Sequence, residues 1–420
     1  MFGQLFVKEC RQTAKSLIYW LTVLILVFSY TSQLGELEID GEPQKGQQEY
    51  GYKLSQDPAF LMKSTLGQLT EEYVRKRYTT YPVGFYKSVT LNEEEDQRIG
   101  EILQETAGIG GRKEAERVME EWYAATQPAD ETNPAASAIT GRLKVEPADG
   151  LTVDRFHELM EEVDGILGGG SDYNEANRKN NARVPMTYED AVREYDTLIK
   201  KDRLSGGYAR LFCDYMGIFL GVLPVFLATT RGLRDRRSRM QELIYTRKCS
   251  SLTVTAGRYL AMLVMLTIPV LALSFIPLSK CISYAGMAGI AVDLWAFVKY
   301  TFGWLCPTIM IVTAAGMFLT ELTETAVAVL AQGVWWFAAI FGGVQRLKGG
   351  MYGWNLVPRH NTQMNWQGFQ DGFAQLAANR IFYAVLSLLL VMGTAFIFEQ
   401  KRKGRLHIRG KILAHRKNKS

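Results

Sequence analysis

Six apolar runs constrain the fold of this chain more than any other feature of its sequence. They cover residues 17–34, 211–230, 259–278, 294–319, 325–344 and 381–398. A helix needs roughly 20 residues to cross the hydrocarbon core of a bilayer, so each run predicts one transmembrane helix. The sequence therefore predicts a mainly α membrane protein with six transmembrane helices, located in a cell membrane.

Residues 35–209, between the first and second runs, are polar and numerous enough to form a separate domain. They contain 34 Asp or Glu, 21 Lys or Arg and no cysteine, so the domain has no disulfide and must be stabilised by its own core. Asn92, Thr152 and Thr187 are placed to cap helices, and Gly108 is placed to end one. Alternating side chains over residues 81–91 predict one strand. We expect a mostly helical domain with little strand.

Basic residues predict which parts of the chain face the cytoplasm. The loop 231–258 carries eight Lys or Arg against two acids, Asp235 and Glu242, and the tail 399–420 carries nine Lys or Arg. Short basic loops stay on the cytoplasmic side of a membrane. Alternation of six helices then places both chain ends inside, and places the domain 35–209 and the loops 279–293 and 345–380 outside. This distribution of basic residues argues against nucleic-acid binding.

The first 16 residues are amphipathic, with Phe2, Leu5, Phe6 and Glu9 at helical spacing. One interpretation is a basic flank before the first transmembrane helix. The other is a cytoplasmic elbow helix that lies in the membrane interface.

Within the loop 231–258, residues 240–245 predict a short amphipathic helix with Met240, Leu243 and Ile244 on one face. An exposed helix with an apolar face needs a surface against which to bury it. That surface is either the lipid headgroups or a partner protein.

The order of residues in this loop resembles the first coupling helix of type-2 ATP-binding cassette (ABC) exporter permeases. A charged residue, then Glu242-Leu243, a basic residue, a serine pair and Gly257-Arg258 at the start of the next run carry the resemblance. In that family the coupling helix lies in a groove of a separate ATPase subunit. The resemblance therefore implies that an ATPase is contacted by Met240, Gln241, Glu242, Leu243, Ile244, Tyr245 and Arg247.

The resemblance covers nearly the whole chain: a first helix at 17–34, an extracellular domain at 35–209, five more helices within 210–398 and a basic tail. It implies that two permease copies or paralogues form a translocation pathway, as a homodimer or a heterodimer, above two ABC ATPase subunits. It also favours the elbow helix at 1–16. The implied cargo is an antimicrobial peptide, a drug, a lipid or an ion. Glu321 and Glu324, at the turn after the fourth run, are either a solvated turn or a second contact to the ATPase.

The sequence contains no pattern that predicts catalysis. It has no Walker A motif, so any ATP hydrolysis must occur in a separate chain. Its four histidines have no cysteine or acid at the spacing of a metal site. We therefore expect a transport subunit rather than an enzyme, with no cofactor and no metal.

Two features of the predicted outer side are candidates for the pathway or its gate. Asp214 lies inside the second run, and an acid within a transmembrane helix is a functional candidate unless it reaches water near the helix end. Pro358, Arg359 and His360 lie in the last predicted outer loop. On residues alone this loop is a proline turn at the membrane surface, and its resemblance to loops of related bacterial permeases implies an outer gate.

A second class of function also fits the sequence, namely a non-transporting membrane sensor or resistance protein that signals through its extracellular domain. A neighbouring gene with a Walker A motif would favour the exporter, and a kinase gene alone would favour the sensor. Two further classes fit less well. A mechanotransmitting ABC subunit has four transmembrane helices, and a secondary transporter usually has buried charges in both of its halves.

Overall fold

The structure is a computed structural model that describes residues 2–47, 50–55, 57–81, 87–125, 143–178, 182–238, 245, 249–344, 350 and 352–406. The chain divides into two compact units. The first, here called the helical unit, comprises residues 1–41, 196–343 and 347–420. The second, here called the inserted unit, comprises mainly Glu42–Tyr195.

Helices make up most of the described chain. In order they are α1 Phe2–Ala14, α2 Leu17–Leu34, α3 Pro58–Arg75, α4 Glu93–Ala107, α5 Arg112–Ala125, α6 Val153–Ile166, α7 Glu175–Arg178, α8 Tyr188–Lys200, α9 Ser205–Leu220, α10 Leu223–Arg237, α11 Ser251–Ala288, α12 Ala296–Tyr300, α13 Cys306–Thr323, α14 Val327–Val344 and α15 Trp366–Arg402. A π-helix, Thr301–Leu305, joins α12 to α13. The described strands are β1 Tyr52–Leu54, β2 Tyr78–Thr80, β3 Lys87–Val89 and β4 Arg183–Pro185.

Within the described residues, five helical stretches of the helical unit are long and apolar enough to cross a membrane. They are Leu17–Leu34, Ser205–Asp235, Ser251–Ala288, Ala296–Thr323 and Trp366–Arg402. The chain is therefore a mostly helical protein with several apolar helices compatible with multiple membrane crossings. The remaining predicted run, 325–344, corresponds to α14, whose apolar part Val327–Phe341 is shorter. A sixth crossing stays a prediction.

The long helices extend well beyond the predicted apolar runs, which mark the expected membrane crossings and not the helix ends. The run 259–278 lies within α11, which starts at Ser251 because the Ser250 side chain accepts a hydrogen bond from the Thr253 N–H. The helix continues to Ala288, through most of the predicted loop 279–293. Similarly, α15 begins at Trp366, so residues 366–380 are helical rather than loop. An apolar run marks the part of a helix that is expected to lie in lipid, whereas the helix itself continues until a cap or a break ends it.

The second predicted transmembrane helix is broken at Gly221 and Val222. Pro224 has no N–H and cannot continue the hydrogen-bond pattern of α9. The backbone carbonyls of Ile218 and Gly221 instead accept hydrogen bonds from α14, from Trp336 Nε1 at 2.7 Å and Gln332 Nε2 at 2.7 Å. Side chains of a neighbouring helix thus satisfy the polar groups that the break exposes.

The inserted unit has its own apolar core. This core is formed by one face each of α3, α4 and α6, and it includes the fully buried side chains of Leu66, Leu69, Ile102, Phe156 and Leu159. Such a core accounts for a folded domain in a segment without cysteine.

Helix caps in the inserted unit lie where the sequence predicts them. Asn92 forms a capping box with Glu95, and Gly108 ends α4 with a φ of 70°, a left-handed conformation that glycine adopts without strain. Thr152 caps α6, and Thr187 accepts a hydrogen bond from the Asp190 N–H at the start of α8.

The predicted strand 81–91 is confirmed at Lys87–Val89, which forms β3 and pairs with β2 in an antiparallel arrangement. Residues 81, 90 and 91 are not strand, and residues 82–86 lie outside the described part. The second antiparallel pair, β1 with β4, was not predicted. Its strands have three residues each, which is too short to show an alternation of apolar and polar side chains.

Candidate functional site

Asp214, on α9, is completely buried and holds a segment that follows α14. Its two carboxylate oxygens accept hydrogen bonds from consecutive backbone N–H groups, from His360 at 2.7 Å and from Asn361 at 2.6 Å. Asn361 has a φ of 62°, a left-handed conformation that asparagine tolerates better than most residues. Asp214 therefore does not reach out to water, and the structure brings it together with His360 as one site.

We call residues 352–365 the buried loop, because Tyr352, Leu356, Val357 and His360 are all buried. The loop packs closely against Gly217 of α9 and against Gly221 in the break that follows it. A Cβ atom at Gly221 would lie 2.7 Å from Val357 Cγ2. Substitution of this glycine would therefore push the loop away from α9.

A buried arginine fixes the other side of the buried loop. Arg380, on α15, donates hydrogen bonds to the carbonyls of Asn355 at 3.2 Å and Leu356 at 3.3 Å. The same guanidinium donates to the Trp304 carbonyl at 3.0 Å and to Thr308 Oγ1 at 2.7 Å. Arg380 thus links α15 to the loop, to the π-helix and to α13, with its charge surrounded by oxygen acceptors.

Neighbouring residues complete the anchorage of the buried loop. Asn379 donates to the carbonyls of Gly353 and Asn355 at 2.8 and 2.9 Å. Trp304 Nε1 donates to the Pro358 carbonyl at 3.2 Å. Of the predicted gate residues, Pro358 and His360 are buried in these contacts, whereas Arg359 is half-buried and its Nε makes no hydrogen bond within the described chain.

A second buried arginine anchors the end of the loop to the start of α15. Arg210 is fully buried on α9 and forms a two-point ion pair with Asp202, at 3.0 and 2.5 Å. Its guanidinium lies over the rings of Phe369 and Trp366, at 4.6 and 5.6 Å from their centroids. Opposite charge and the aromatic faces together offset the cost of burying this cation.

The hydrogen bonds of His360 define its protonation state. Its Nε2 lies 3.0 Å from the Met364 carbonyl, which can only accept, so Nε2 carries the proton. Nδ1 then accepts from the Tyr352 hydroxyl at 2.8 Å. Burial, and next the nearby Arg210 charge, lower the pKa of His360 to about 4. The imidazole is therefore neutral at physiological pH, and its two hydrogen bonds link Tyr352 to Met364 within the loop.

A different cluster of buried charges joins α1 to α10 and α11. The Glu9 carboxylate accepts a hydrogen bond from Arg231 Nε at 2.7 Å, and Arg258 Nε lies 3.7 Å from it. Asp235 pairs with Arg258. Arg231 and Arg258 are thus largely neutralised by two acids, rather than being simple basic flanks of the loop 231–258 as the sequence suggested.

Most of the predicted coupling residues lie outside the described residues, namely Met240, Gln241, Glu242, Leu243, Ile244 and Arg247. Tyr245 is described. Its ring packs edge-on against Phe398 at a centroid distance of 5.3 Å, and its carbonyl accepts from Arg402 Nε at 2.8 Å. Arg402 also donates to the Cys249 carbonyl at 2.7 Å. The end of α15 thus contacts one predicted coupling residue, Tyr245, and the chain after the coupling residues at Cys249.

Glu321 and Glu324 share one cation. Lys401 Nζ, at the end of α15, lies 3.2 Å from Glu321 Oε1 and 3.1 Å from Glu324 Oε1. The lysine side chain is 6% exposed and the two acids are 17% and 16% exposed. These acids therefore fix the turn after α13 to the last helix.

Sequence reasoning missed the structural roles of Arg210, Arg380 and Glu9. The acid at helical spacing from Arg210 is Asp214, four residues later, whereas its partner in the structure is Asp202, so this spacing would not have identified the pair. No local pattern indicated that Glu9 would meet Arg231, which is 222 residues away.

Comparisons of this chain with protein-family models, curated proteins and solved structures find no match. Within the described residues, His, Cys, Asp and Glu side chains form no group that could hold a metal ion.

Proposed function

We propose that this chain is the membrane-spanning permease subunit of an ABC exporter, with its ATPase on a separate chain. The observation that carries the proposal is the position of the predicted coupling residues 240–247, between the second and third long apolar helices in chain order. In this proposal six helices cross the cell membrane, both chain ends are cytoplasmic, and the inserted unit is extracellular. A second permease, identical or paralogous, completes the pathway.

The buried loop acts in this proposal as the outer gate of the pathway. It fills the space between α9, α13 and α15, and its backbone is held by Asp214 from one side and Arg380 from the other. Opening the gate requires that these hydrogen bonds break together. The cargo, an antimicrobial peptide, a drug, a lipid or an ion, would then leave between the same helices.

Ion pairs connect the coupling stretch to the rest of the helical unit. Glu9 ties α1 to the end of α10 and the start of α11, and these two helix ends flank the coupling residues. Lys401 and Arg402 tie α15 to the 321–324 turn and to Tyr245. A movement of the ATPase would therefore be transmitted to α15. Because Arg380 of α15 binds the buried loop, the movement would also reach that loop.

Cysteine labelling tests the orientation on which the proposal depends. In a variant whose five cysteines are replaced by alanine, Glu120→Cys and Ser238→Cys each add one exposed thiol. An impermeant maleimide on intact cells should label position 120 and leave position 238 unlabelled until the cells are opened. Labelling at 238 in intact cells, or none at 120, would contradict the orientation.

Truncation of the apolar coupling face tests the function itself. Burial of a large apolar side chain is worth about 1.5–3 kcal/mol, so Leu243→Ala with Ile244→Ala should weaken ATPase co-purification or uncouple ATP hydrolysis from transport. Membrane insertion should stay normal. The matched control, Arg236→Ala with Arg237→Ala, should affect orientation more than coupling. Wild-type ATPase binding and transport in the double alanine variant would show that the coupling assignment is wrong.

A further inference from the structure

Helix α1 lies beside the ends of the apolar runs of the helical unit. Its first turn packs against Gly257, where a Cβ atom would lie 3.1 Å from Leu5 Cδ2. Gly257 is two residues before the apolar run 259–278. The last residue of α1, Ala14, is three residues before the apolar run 17–34. Both ends of α1 therefore lie where an apolar run begins, which is the depth of the lipid headgroups.

The middle of α1 lies at the same depth. Glu9 accepts a hydrogen bond from Arg231, which directly follows the apolar run 211–230. The same carboxylate lies 3.7 Å from Nε of Arg258, the residue before the run 259–278. Glu9 is the only acid in α1 and α2, and it is buried against these two arginines. Its charge is therefore already paired and does not neutralise the other cations of α1.

The opposite face of α1 is exposed and basic. Lys8, Arg11 and Lys15 follow one another at a spacing of three or four residues, so they form one row, here called the basic row. None of the three forms an ion pair in the part of the chain that the structure describes. Gly3 and Val7 lie beside the row along a shallow open depression. The basic row thus presents three cations without counter-charges at headgroup depth.

An apolar surface begins directly after the basic row. Four exposed side chains share one face of α2 and are here called the apolar stripe, namely Leu17, Leu21, Leu24 and Phe28. The Trp20 indole N–H donates to the Ala14 carbonyl at 2.8 Å and so links the start of α2 to the end of α1. A row of cations followed by an apolar stripe matches the two parts of a phospholipid, an anionic headgroup and an acyl chain.

We propose that α1 and the start of α2 bind an anionic phospholipid, whose phosphate contacts the basic row and whose acyl chain packs on the apolar stripe. A zwitterionic phospholipid carries a cation next to its phosphate, so it gains less from three unpaired cations on the protein. The proposal requires that the helical unit is inserted in a membrane. It does not depend on transport or on an ATPase.

Photocrosslinking of the full chain in detergent micelles tests this site. The probe is a phosphatidylglycerol with a diazirine in its headgroup, and the crosslinked residues are located by mass spectrometry of peptides. We expect crosslinks on α1 and on the first turns of α2. Unlabelled phosphatidylglycerol should compete with the probe, whereas phosphatidylcholine with the same acyl chains and inorganic phosphate should compete much more weakly.

Removal of two charges from the basic row tests the role of these residues. Lys8→Gln with Arg11→Gln keeps polar, helix-forming side chains. Each basic residue near an anionic lipid raises the affinity about fivefold, so crosslinking to α1 below saturation should fall roughly 30-fold. The matched control, Lys113→Gln with Arg117→Gln, removes the same two charges from exposed positions of α5 and should leave crosslinking to α1 unchanged.

The competition between lipids decides the chemistry even if a variant folds poorly, because it uses the unaltered chain. The proposal is overturned by any of three results: no crosslink on α1 or the start of α2, equal competition by phosphatidylcholine and phosphatidylglycerol, or unchanged crosslinking in the Lys8 and Arg11 variant. Either of the first two results would instead favour an acidic protein surface as the partner of the basic row.

Discussion

Asp214→Asn should loosen the buried loop without removing its other contacts. Aspartate accepts from two backbone N–H groups, at 2.7 and 2.6 Å, whereas asparagine offers one carbonyl oxygen and places an NH₂ group against the second donor. Loss of a charge-assisted hydrogen bond costs about 1.5–3 kcal/mol, and the unpaired N–H adds to that cost. Removal of a buried charge offsets part of this loss. We expect a net cost of about 2 kcal/mol.

Hydrogen exchange followed by mass spectrometry measures this change directly in the full chain. When closing is faster than exchange, the exchange rate of a buried amide is proportional to the fraction of open molecules. A cost of about 2 kcal/mol then corresponds to roughly 30-fold faster exchange. The effect should be confined to peptides from the buried loop, and peptides from the inserted unit should be unchanged.

Asp371→Asn provides a matched control for this experiment. Asp371 is an exposed residue of α15 that accepts a hydrogen bond from Gln367 Nε2 at 2.8 Å. This variant makes the same change of charge and size, and loop exchange should stay at the wild-type rate. If Asp214→Asn also exchanged within about 3-fold of wild type, the loop would be held by Arg380, Asn379 and Trp304 without Asp214, and our account of Asp214 would be refuted.

Gly221→Ala places a methyl group 2.7 Å from Val357 Cγ2 of the buried loop and should destabilise the loop by about 1–3 kcal/mol, measured as faster hydrogen exchange. As a control, Gly333→Ala should leave the exchange unchanged, because no atom lies within 4 Å of the added methyl group. Burial raises the pKa of Glu72 from its ordinary value of 4.5 to about 7 in the folded state, so its neutral form stabilises the inserted unit below pH 4.5 and that contribution is lost as pH rises to 7. The difference in unfolding free energy between wild type and Glu72→Gln should therefore fall by about 3 kcal/mol across this window in thermal or urea unfolding, and a flat difference would contradict the assignment. Lys401→Met leaves the two acids of the 321–324 turn without their shared cation and should lower unfolding free energy by about 3 kcal/mol.

Local features of this chain were predictable from its sequence. The capping box of Asn92 and the glycine stop at Gly108 depend on residues within one helical turn, and the structure confirms both. The apolar runs likewise located the long helices, because burial in lipid requires a continuous apolar surface. The break near Pro224 was not predicted, because proline does not always end a helix, and α11 continues through Pro269 and Pro277.

Contacts between distant parts of the chain were not predictable. Asp214 was identified as a candidate functional residue, but its hydrogen-bond partners lie 146 and 147 residues away. They are backbone N–H groups, so no pattern of side chains indicates them. Arg380 was seen only as the residue before an apolar run. Its role depends on how three helices and a loop pack together, and a single sequence does not specify that geometry.

The break in the second long helix has a consequence for how the protein is made. The carbonyls of Ile218 and Gly221 find their donors on Trp336 and Gln332, which follow 118 and 111 residues later in the chain. At a synthesis rate of about 5–20 residues per second, those donors are added roughly 5–25 s after the break. During that interval the nascent chain carries two backbone acceptors that lipid cannot satisfy. We therefore expect water or an insertion factor to satisfy these carbonyls until α14 has been synthesised.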